Sequence, residues 1–198
     1  MIGRPSRREF LRIGAVAATG CGIGFDRALA QDELAPTPAC EPGAAATLRQ
    51  TEGPFYKPRS PLRSLLREPS MAGTPVDLSG FVVSRTCTPV PRAIVDLWQA
   101  DEKGEYDNRG FRLRGHQFTD ADGRYAFRTI VPGNYEFRTR HFHVKVAAPY
   151  RPVLTTQLYF ADEPKNARDP LFRPELLMRI VKAPDLVRAR FDFVLDFP

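Results

Sequence analysis

The sequence predicts an all-β fold, a two-sheet antiparallel β-sandwich with one or two short helices and an extended N-terminal arm. Short segments of alternating apolar and polar residues recur along the chain, as they do in half-buried strands. Turn sequences such as Asp120-Ala-Asp-Gly123 and Val131-Pro-Gly133 separate these segments. Many short strands joined by turns are typical of two packed sheets.

The first thirty residues have the three parts of a twin-arginine export signal. Ser6-Arg-Arg-Glu-Phe-Leu-Arg12 precedes a short apolar segment, and Ala28-Leu-Ala30 provides a small-residue cleavage site. The apolar segment is too short to span a membrane, so no stable span is expected in the mature protein. We therefore expect a periplasmic or secreted protein. A lipid anchor at Cys21 is disfavoured, because Ala18 stands where such signals usually have Leu.

Removal of residues 1–30 leaves one ordinary domain. Residues 31–49 are rich in Ala, Pro, Glu and Gly and predict a flexible arm, and residues 50–198 form the β-sandwich domain. The signal contains five arginines and two acidic residues, and so carries half of the net charge of +6. The remaining basic residues are scattered, which argues against nucleic acid as a partner.

The mature chain keeps two cysteines, Cys40 and Cys87. Exported chains meet an oxidising compartment, which favours a disulfide between them over two free thiols. Such a bond would fix an arm that has few other contacts.

The elements are predicted in chain order from pattern and turn signals. Residues 61–67 follow a proline and predict one or two helical turns, and residues 170–181 predict a helix over one end of the sheets. All other elements are strands, predicted at residues 76–83, 93–99, 116–119, 124–130, 141–146, 155–160 and 190–197.

The strand at residues 141–146 carries two of the three histidines of the chain. Read with a period of two, His141, His143 and Lys145 share one face, and the apolar residues between them share the other. Two imidazoles at positions i and i+2 point the same way and can chelate a metal ion, although His-x-His also occurs in ordinary strands.

Two tyrosines, Tyr106 and Tyr135, are candidate partners of these histidines. A tyrosine near its reference pKa of 10 costs roughly 4 kcal/mol to deprotonate at pH 7. Only a strongly Lewis-acidic ion offsets that cost twice, and Fe(III) suits hard phenolate oxygens better than Fe(II) or Zn(II). The four residues together predict a non-haem Fe(III) site.

Five motifs in this order resemble the intradiol ring-cleavage dioxygenase family, over nearly all of the mature domain. In size and motifs the chain most resembles the iron-bearing β subunit of protocatechuate 3,4-dioxygenases. The motifs are Gln50-Thr-Glu-Gly-Pro-Phe-Tyr56, Ala93-Ile-Val-Asp-Leu-Trp-Gln-Ala-Asp101 with Gly104-Glu-Tyr106, Thr119-Asp-Ala-Asp-Gly-Arg-Tyr-Ala-Phe-Arg-Thr-Ile-Val-Pro-Gly-Asn-Tyr135, Arg138-Thr-Arg-His141-Phe-His143 and Thr156-Gln-Leu-Tyr-Phe160.

The resemblance implies a ligand set and three further roles. The matching iron ligands are Tyr106, Tyr135, His141 and His143. Tyr135 matches the tyrosine that leaves the metal and takes a substrate proton, Arg138 the active-site arginine, and Gln157 a glutamine that supports the same pocket. The expected substrates are a protocatechuate-like catechol and O₂, and the product a muconate-type diacid. The family also implies assembly, with copies of this chain or with a homologous subunit, and residues 51–56 could then reach a neighbour's site.

A second class of protein fits the same strand pattern. Prealbumin-like and regulatory-like β-sandwiches share the Asp-Gly and Pro-Gly turn motifs but serve as non-catalytic binding modules. The fold alone does not separate these two classes of protein. Other candidate residues have ordinary structural interpretations. Tyr125, Tyr159 and Trp98 are expected in the core, Tyr56 in an apolar clasp or at the pocket, and His116 at the surface or hydrogen-bonded.

One departure from the family pattern bears on substrate choice. Arg138-Thr-Arg-His141 stands where the family often has Arg-Pro-Ala-His, so Arg140 adds a second positive charge beside the site.

Overall fold

Nine β-strands form two sheets within residues 40–198, the part of the chain that the computed structural model describes. Two 3₁₀ turns, Pro164–Arg168 and Pro174–Leu176, are the helical elements described there. The strands are β1 Pro75–Ser84, β2 Ile94–Trp98, β3 Arg114–Phe118, β4 Arg124–Ile130, β5 His141–Ala147, β6 Leu154–Tyr159, β7 Arg179–Ala183, β8 Leu186–Arg190 and β9 Phe193–Leu195.

The first sheet has the strand order β4-β1-β8-β7, with β9 also paired to β1, and the second has the order β3-β2-β5-β6. The second sheet is antiparallel throughout. The first is mixed, because β8 and β9 both run parallel to β1. The prediction of a two-sheet all-β fold is confirmed, and the parallel pairs correct the expectation of two purely antiparallel sheets.

The core lies between the sheets and follows the period-two pattern of their strands. Along β5, the side chains that face inward are 0–1% exposed, and along β1 the same holds for Val76, Leu78 and Val82. The inward residues of β5 are Phe142, Val144 and Val146. Consequently His141, His143 and Lys145 lie on the opposite, outer face of the second sheet, which places the site outside the core.

The helix predicted at residues 170–181 is wrong. The chain instead makes the short 3₁₀ turn and then enters β7, which pairs antiparallel with β8. Ile180 and Val181 are β-branched and favour this extended conformation. The helical spacing of Leu171, Pro174, Leu177 and Ile180 does not mark a buried face, because the buried residues of this segment are Leu176 and Met178.

Two further segments differ from the sequence-based expectation. Residues 61–67 are extended rather than helical, because the amides of Arg63 and Leu66 donate to the backbone oxygens of His116 and Arg128. Residues 190–197 are not one strand, because the carboxylate of Asp192 accepts the Phe81 amide and separates β8 from β9.

A disulfide joins Cys40 and Cys87, whose Cα atoms are 5.7 Å apart, as the sequence predicts. Beyond it, the Thr47 amide donates to the Val194 oxygen and the Gln50 amide to the Thr155 oxygen. The predicted signal of residues 1–30, with Cys21, lies outside the described residues. Between residues 40 and 198 no helix is long and apolar enough to cross a membrane.

Candidate active site

The two histidines of β5 converge on the outer face of the second sheet. His141 and His143 are each 3% exposed, and their Nε2 atoms are 3.1 Å apart. The pleat of the strand produces this convergence, because residues two apart project in the same direction. Two ring nitrogens therefore point at one small volume.

The surroundings of each ring determine which nitrogen is available. His141 Nδ1 lies 2.6 Å from the Thr139 backbone oxygen, to which it donates, so Nε2 keeps its lone pair. His143 stacks on Trp98 at 4.9 Å, and within residues 40–198 its buried Nδ1 has no hydrogen-bond partner.

Both imidazoles are neutral near pH 7. Burial, and next the Arg138 charge, lower the pKa of His141 to about 4. Burial also lowers the pKa of His143 well below its ordinary value, with His141 and Arg138 adding to the effect. Neutral imidazoles offer lone pairs to a cation, which is the form that binds metals.

Two crossing loops bring Tyr106 and Tyr135 together. The amides of Gly104 and Gly133 both donate to the Asp101 backbone oxygen, at 3.1 and 2.7 Å. A Cβ atom on Gly104 would lie only 2.1 Å from the Asn134 oxygen, so a side chain there would separate the loops. Each tyrosine follows its glycine by two residues.

The two phenol rings lie beside the histidine pair. The ring centroid of Tyr106 is 5.8 Å from that of Tyr135 and 6.0 Å from that of His143. Burial raises the pKa of Tyr106, and a hydrogen bond with Glu136 raises that of Tyr135. Both phenols thus stay protonated near pH 7 without an added cation.

These four donors fit a hard cation. Two neutral imidazoles with convergent Nε2 atoms and two adjacent phenols provide nitrogen and oxygen ligands, and a bound cation would stabilise the phenolate form that burial otherwise disfavours. In the described range of 40–198, no group of three or more His, Cys, Asp or Glu is placed to hold a metal ion.

Arg138 lies beside this site in a fixed orientation. Its Nη2 donates to Gln157 Oε1 at 2.6 Å, and its Nε lies 2.8 and 2.9 Å from the two carboxylate oxygens of Asp169. Gln157 faces His143 across the β5–β6 ladder and donates from Nε2 to the Thr51 oxygen. The structure thus brings all the predicted site residues to one side of the second sheet.

Residues 50–57, the covering segment, cross the outer face of the second sheet above this site. Phe55 stacks on Tyr106 with ring centroids 4.4 Å apart and contacts the Tyr135 ring edge-on at 5.1 Å. Tyr56 packs against Trp98 at 4.9 Å and donates to Asp96. The segment that could have reached a neighbour's site therefore covers the site of its own chain.

Sequence reasoning missed three residues of the site. Asp169 holds Arg138, Arg114 is buried next to the Tyr106 loop, and Phe55 stacks on Tyr106. Phe55 lies in a motif that was singled out, so its aromatic character was a usable signal. Asp169 and Arg114 have no local signal, because their contacts depend on loops that meet only in the fold.

Of the remaining candidates, Tyr125 lies in the core and His116 is hydrogen-bonded, as expected, whereas the expectation of a core position for Trp98 is wrong, because Trp98 stacks on His143 on the outer face of the second sheet. Tyr125 and Trp98 are 3% and 1% exposed, and His116 Nδ1 lies 3.1 Å from the Ser60 hydroxyl. Tyr159 is fully buried, but its hydroxyl lies 2.9 Å from Gln157 Oε1 and therefore borders the site. Arg140 forms an ion pair with Glu163, which partly neutralises the second charge beside the site.

Comparisons with known proteins agree with this architecture. Residues 51–197 match the profile of a family described as Dioxygenase. The dioxygenase domain of a carbohydrate-binding fusion protein from the cellulolytic bacterium Streptomyces sp. SirexAA-E is 53% identical, with a TM-score of 0.76, over 78% of this chain and all of that one. A 3-chlorocatechol 1,2-dioxygenase from Rhodococcus opacus 1CP is 28% identical, with a TM-score of 0.72, over 77% of this chain and 73% of that one.

Two curated relatives are also named as dioxygenases. Catechol 1,2-dioxygenase 2 of Acinetobacter lwoffii is 28% identical over 77% of this chain and 65% of its own length. The β chain of protocatechuate 3,4-dioxygenase of Burkholderia cepacia is 33% identical over 51% of each chain. The chain thus spans about half to two thirds of the length of these two relatives. It belongs to the intradiol ring-cleavage dioxygenase family.

Proposed function

We propose that this chain is a non-haem Fe(III) dioxygenase that cleaves a protocatechuate-like catechol between its two hydroxylated carbons. Both atoms of O₂ enter the product, a muconate-type diacid, so one carbon–carbon bond breaks and two carboxyl groups form. The observation that supports this most is the convergence of the His141 and His143 Nε2 atoms beside two phenols. Fe(III), when bound, would supply the Lewis acidity that binds both catechol oxygens and makes the ring reactive toward O₂.

The residues of the chain divide the remaining tasks. Tyr135 is partly exposed and lies on a turn closed by the Arg138 amide, so its phenolate can move away and accept a proton from a catechol hydroxyl. Tyr106 is more enclosed, between Phe55 and His143, and keeps its place. Arg138 is oriented by Asp169 and Gln157, so its charge can stabilise negative charge that develops on the substrate ring.

The decisive test is the visible absorption spectrum of the purified protein, with iron assayed in the same sample. Tyrosinate bound to Fe(III) gives a broad charge-transfer band, which we expect to shift when a catechol is added without oxygen. Tyr135→Phe should retain part of the iron but lose ring cleavage, and His143→Ala should lose the iron. A folded, iron-reconstituted protein that is colourless and does not respond to catechols would instead favour the non-catalytic binding module.

We also propose that the protein is exported by the twin-arginine route to the periplasm or medium. The signal pattern of residues 1–30 supports this, and so does the Cys40–Cys87 disulfide, since disulfides persist in oxidising compartments. Arg7→Lys with Arg8→Lys should leave the precursor in the cytoplasm of the host. Export that is unaffected by the double substitution would contradict this route.

A further inference from the structure

We infer that Arg114 is a positioning residue that fastens the covering segment to the Tyr106 loop and so holds Phe55 against Tyr106. This inference rests on the proposed function, because it concerns the phenol that would bind the metal. In this role Arg114 does not touch the substrate, and its hydrogen bonds reach the site through Phe55 and the Tyr106 loop.

The Arg114 side chain bridges two separate segments. It begins β3 and is 1% exposed. Its Nη1 donates to the Phe55 backbone oxygen at 2.5 Å, and its Nε donates to the Asp107 backbone oxygen at 3.2 Å. Phe55 lies in the covering segment, whereas Asp107 directly follows Tyr106. One guanidinium therefore fixes the distance between the two segments that carry the stacked rings.

The stack itself is the feature that this bridge maintains. The planes of Phe55 and Tyr106 are 14° apart with centroids at 4.4 Å, and Phe55 meets Tyr135 at 87°. Stacked and edge-on arrangements of this kind are the favourable geometries for aromatic pairs. Neither ring lies on a strand, so their alignment depends on contacts between loops.

Burial of the charge indicates that this role is specific. A buried guanidinium is costly unless its donors are matched, and two of its donors are matched by backbone oxygens of the site loops. Its Nη2 is buried and has no hydrogen-bond partner within residues 40–198. Arg114 pairs with Trp98 between β3 and β2, and Trp98 pairs with His143 between β2 and β5. The unpaired Nη2 of Arg114 therefore belongs to the same row of residues across the sheet as His143.

An arginine is required because the two oxygens are reached by two different nitrogens in a fixed planar fork. Lysine keeps the charge but offers its donors from a single nitrogen, and it cannot reproduce that spacing. Arg114→Lys therefore removes the bridge with little change in local charge. Arg63→Lys is the matched control, because Arg63 also donates to two backbone oxygens, those of Arg114 and Phe111, but contacts neither Phe55 nor Asp107.

The test uses the iron-free full chain and measures nitration of Tyr106 by tetranitromethane, relative to the fully exposed Tyr150, with peptides resolved by mass spectrometry. We expect Arg114→Lys to raise the relative nitration of Tyr106 several-fold and Arg63→Lys to leave it unchanged. Phe55→Leu removes the stacking ring directly and should give the same increase. The double variant should show no further increase, because both changes act on one contact.

The iron-loaded proteins supply the second measurement. We expect Arg114→Lys to weaken and shift the visible charge-transfer band at equal iron content, and Arg63→Lys to retain the band of the wild-type protein. Unchanged Tyr106 nitration together with an unchanged band in Arg114→Lys would overturn the inference. A wild-type protein that binds iron without any band would refute the proposed function instead, while the nitration result would still decide the role of Arg114.

Discussion

The buried ion pair between Arg138 and Asp169 orients the Arg138 guanidinium beside the candidate site. The Asp169 side chain is fully buried and accepts Arg138 Nε, the Thr139 amide and the Leu171 amide. Because every one of these donors is fixed in the backbone or in the guanidinium plane, Arg138 has one orientation. Its Nη2 is thereby directed to Gln157.

We predict that Asp169→Asn lowers the free energy of unfolding by about 3 kcal/mol, because it leaves the Arg138 charge buried without a carboxylate. The side-chain amide nitrogen of Asn would also lie opposite an N–H donor that now binds a carboxylate oxygen of Asp169, so no hydrogen bond could form there. Urea unfolding measures the loss of stability. In the iron-loaded enzyme, ring cleavage should fall while the iron content stays near that of the wild-type protein.

Glu163→Gln is the matched control for this substitution. Glu163 pairs with Arg140 on the same side of the site, but both side chains are partly exposed, so the loss should stay below about 1 kcal/mol. Equal destabilisation by the two substitutions would contradict the orienting role of Asp169.

Single residues could be predicted where their spacing is local. The strand period places His141 and His143 on one face, and each tyrosine follows a glycine by two residues. Asp169 could not be predicted, because it is 31 residues from Arg138 and its contact depends on how the loop after β6 folds back. Arg114 precedes the strand predicted at residues 116–119 and has no local signal, because its side chain is held by Phe55 and Asp107, which are distant in sequence.

At the level of elements, the site depends on the crossing of the two tyrosine loops. Gly104 has a positive φ of 89°, and its amide lies where a Cβ on Gly133 would come within 2.4 Å. Only glycine allows both the backbone conformation and the close approach. The glycine of each Gly-x-Tyr motif is thus required by the close packing of the two loops, which places the two phenols side by side.

We predict that Gly104→Ala separates the loops, lowers the free energy of unfolding by about 3 kcal/mol and removes most of the visible band. The added methyl group would meet the Asn134 backbone oxygen, and backbone cannot yield as a flexible side chain can. Chemical denaturation and the absorption of the iron-loaded protein measure the two effects.

Gly43→Ala separates the backbone cost from the steric overlap. Gly43 has nearly the same φ, 90°, but nothing lies within 4 Å of an added Cβ. We expect a loss of about 1 kcal/mol there and an unchanged band. Comparable losses at both positions would mean that conformational strain, rather than the loop crossing, determines the effect.

Strands such as β4 were predictable because one face is buried and the other exposed, which produces a period of two in the sequence. The helix prediction for residues 170–181 failed because the apolar residues of this segment belong to a turn and then a strand, and their combined spacing resembles that of a helix. β8 has only five residues, with Leu186, Val187 and Ala189 as its apolar members, and escaped notice. Its place beside β1 is set by non-local pairing that no local pattern records.

For the whole molecule, the two-layer arrangement separates stability from chemistry. The inner faces of the sheets form the apolar core, whereas the outer face of the second sheet carries the polar site beneath the covering segment. That segment belongs to residues 40–74, a stretch in which the described structure has no named strand. Its attachment therefore depends on hydrogen bonds to the second sheet and on the Cys40–Cys87 disulfide, which closes the chain around it.

We predict that Cys40→Ala with Cys87→Ala lowers the free energy of unfolding by about 3–4 kcal/mol, the chain-entropy value for a closed loop of this size. The two cysteines are 47 residues apart in sequence, so the bond restricts a large part of the unfolded chain, including the covering segment. Urea unfolding of the wild-type protein with and without a thiol reductant, beside the double variant, measures the effect. The reductant should bring the wild-type protein to the stability of the variant and leave the variant unchanged. The visible band of the folded variant should persist, because the covering segment keeps its hydrogen bonds to β6; loss of the band without unfolding would show that the disulfide holds the site itself.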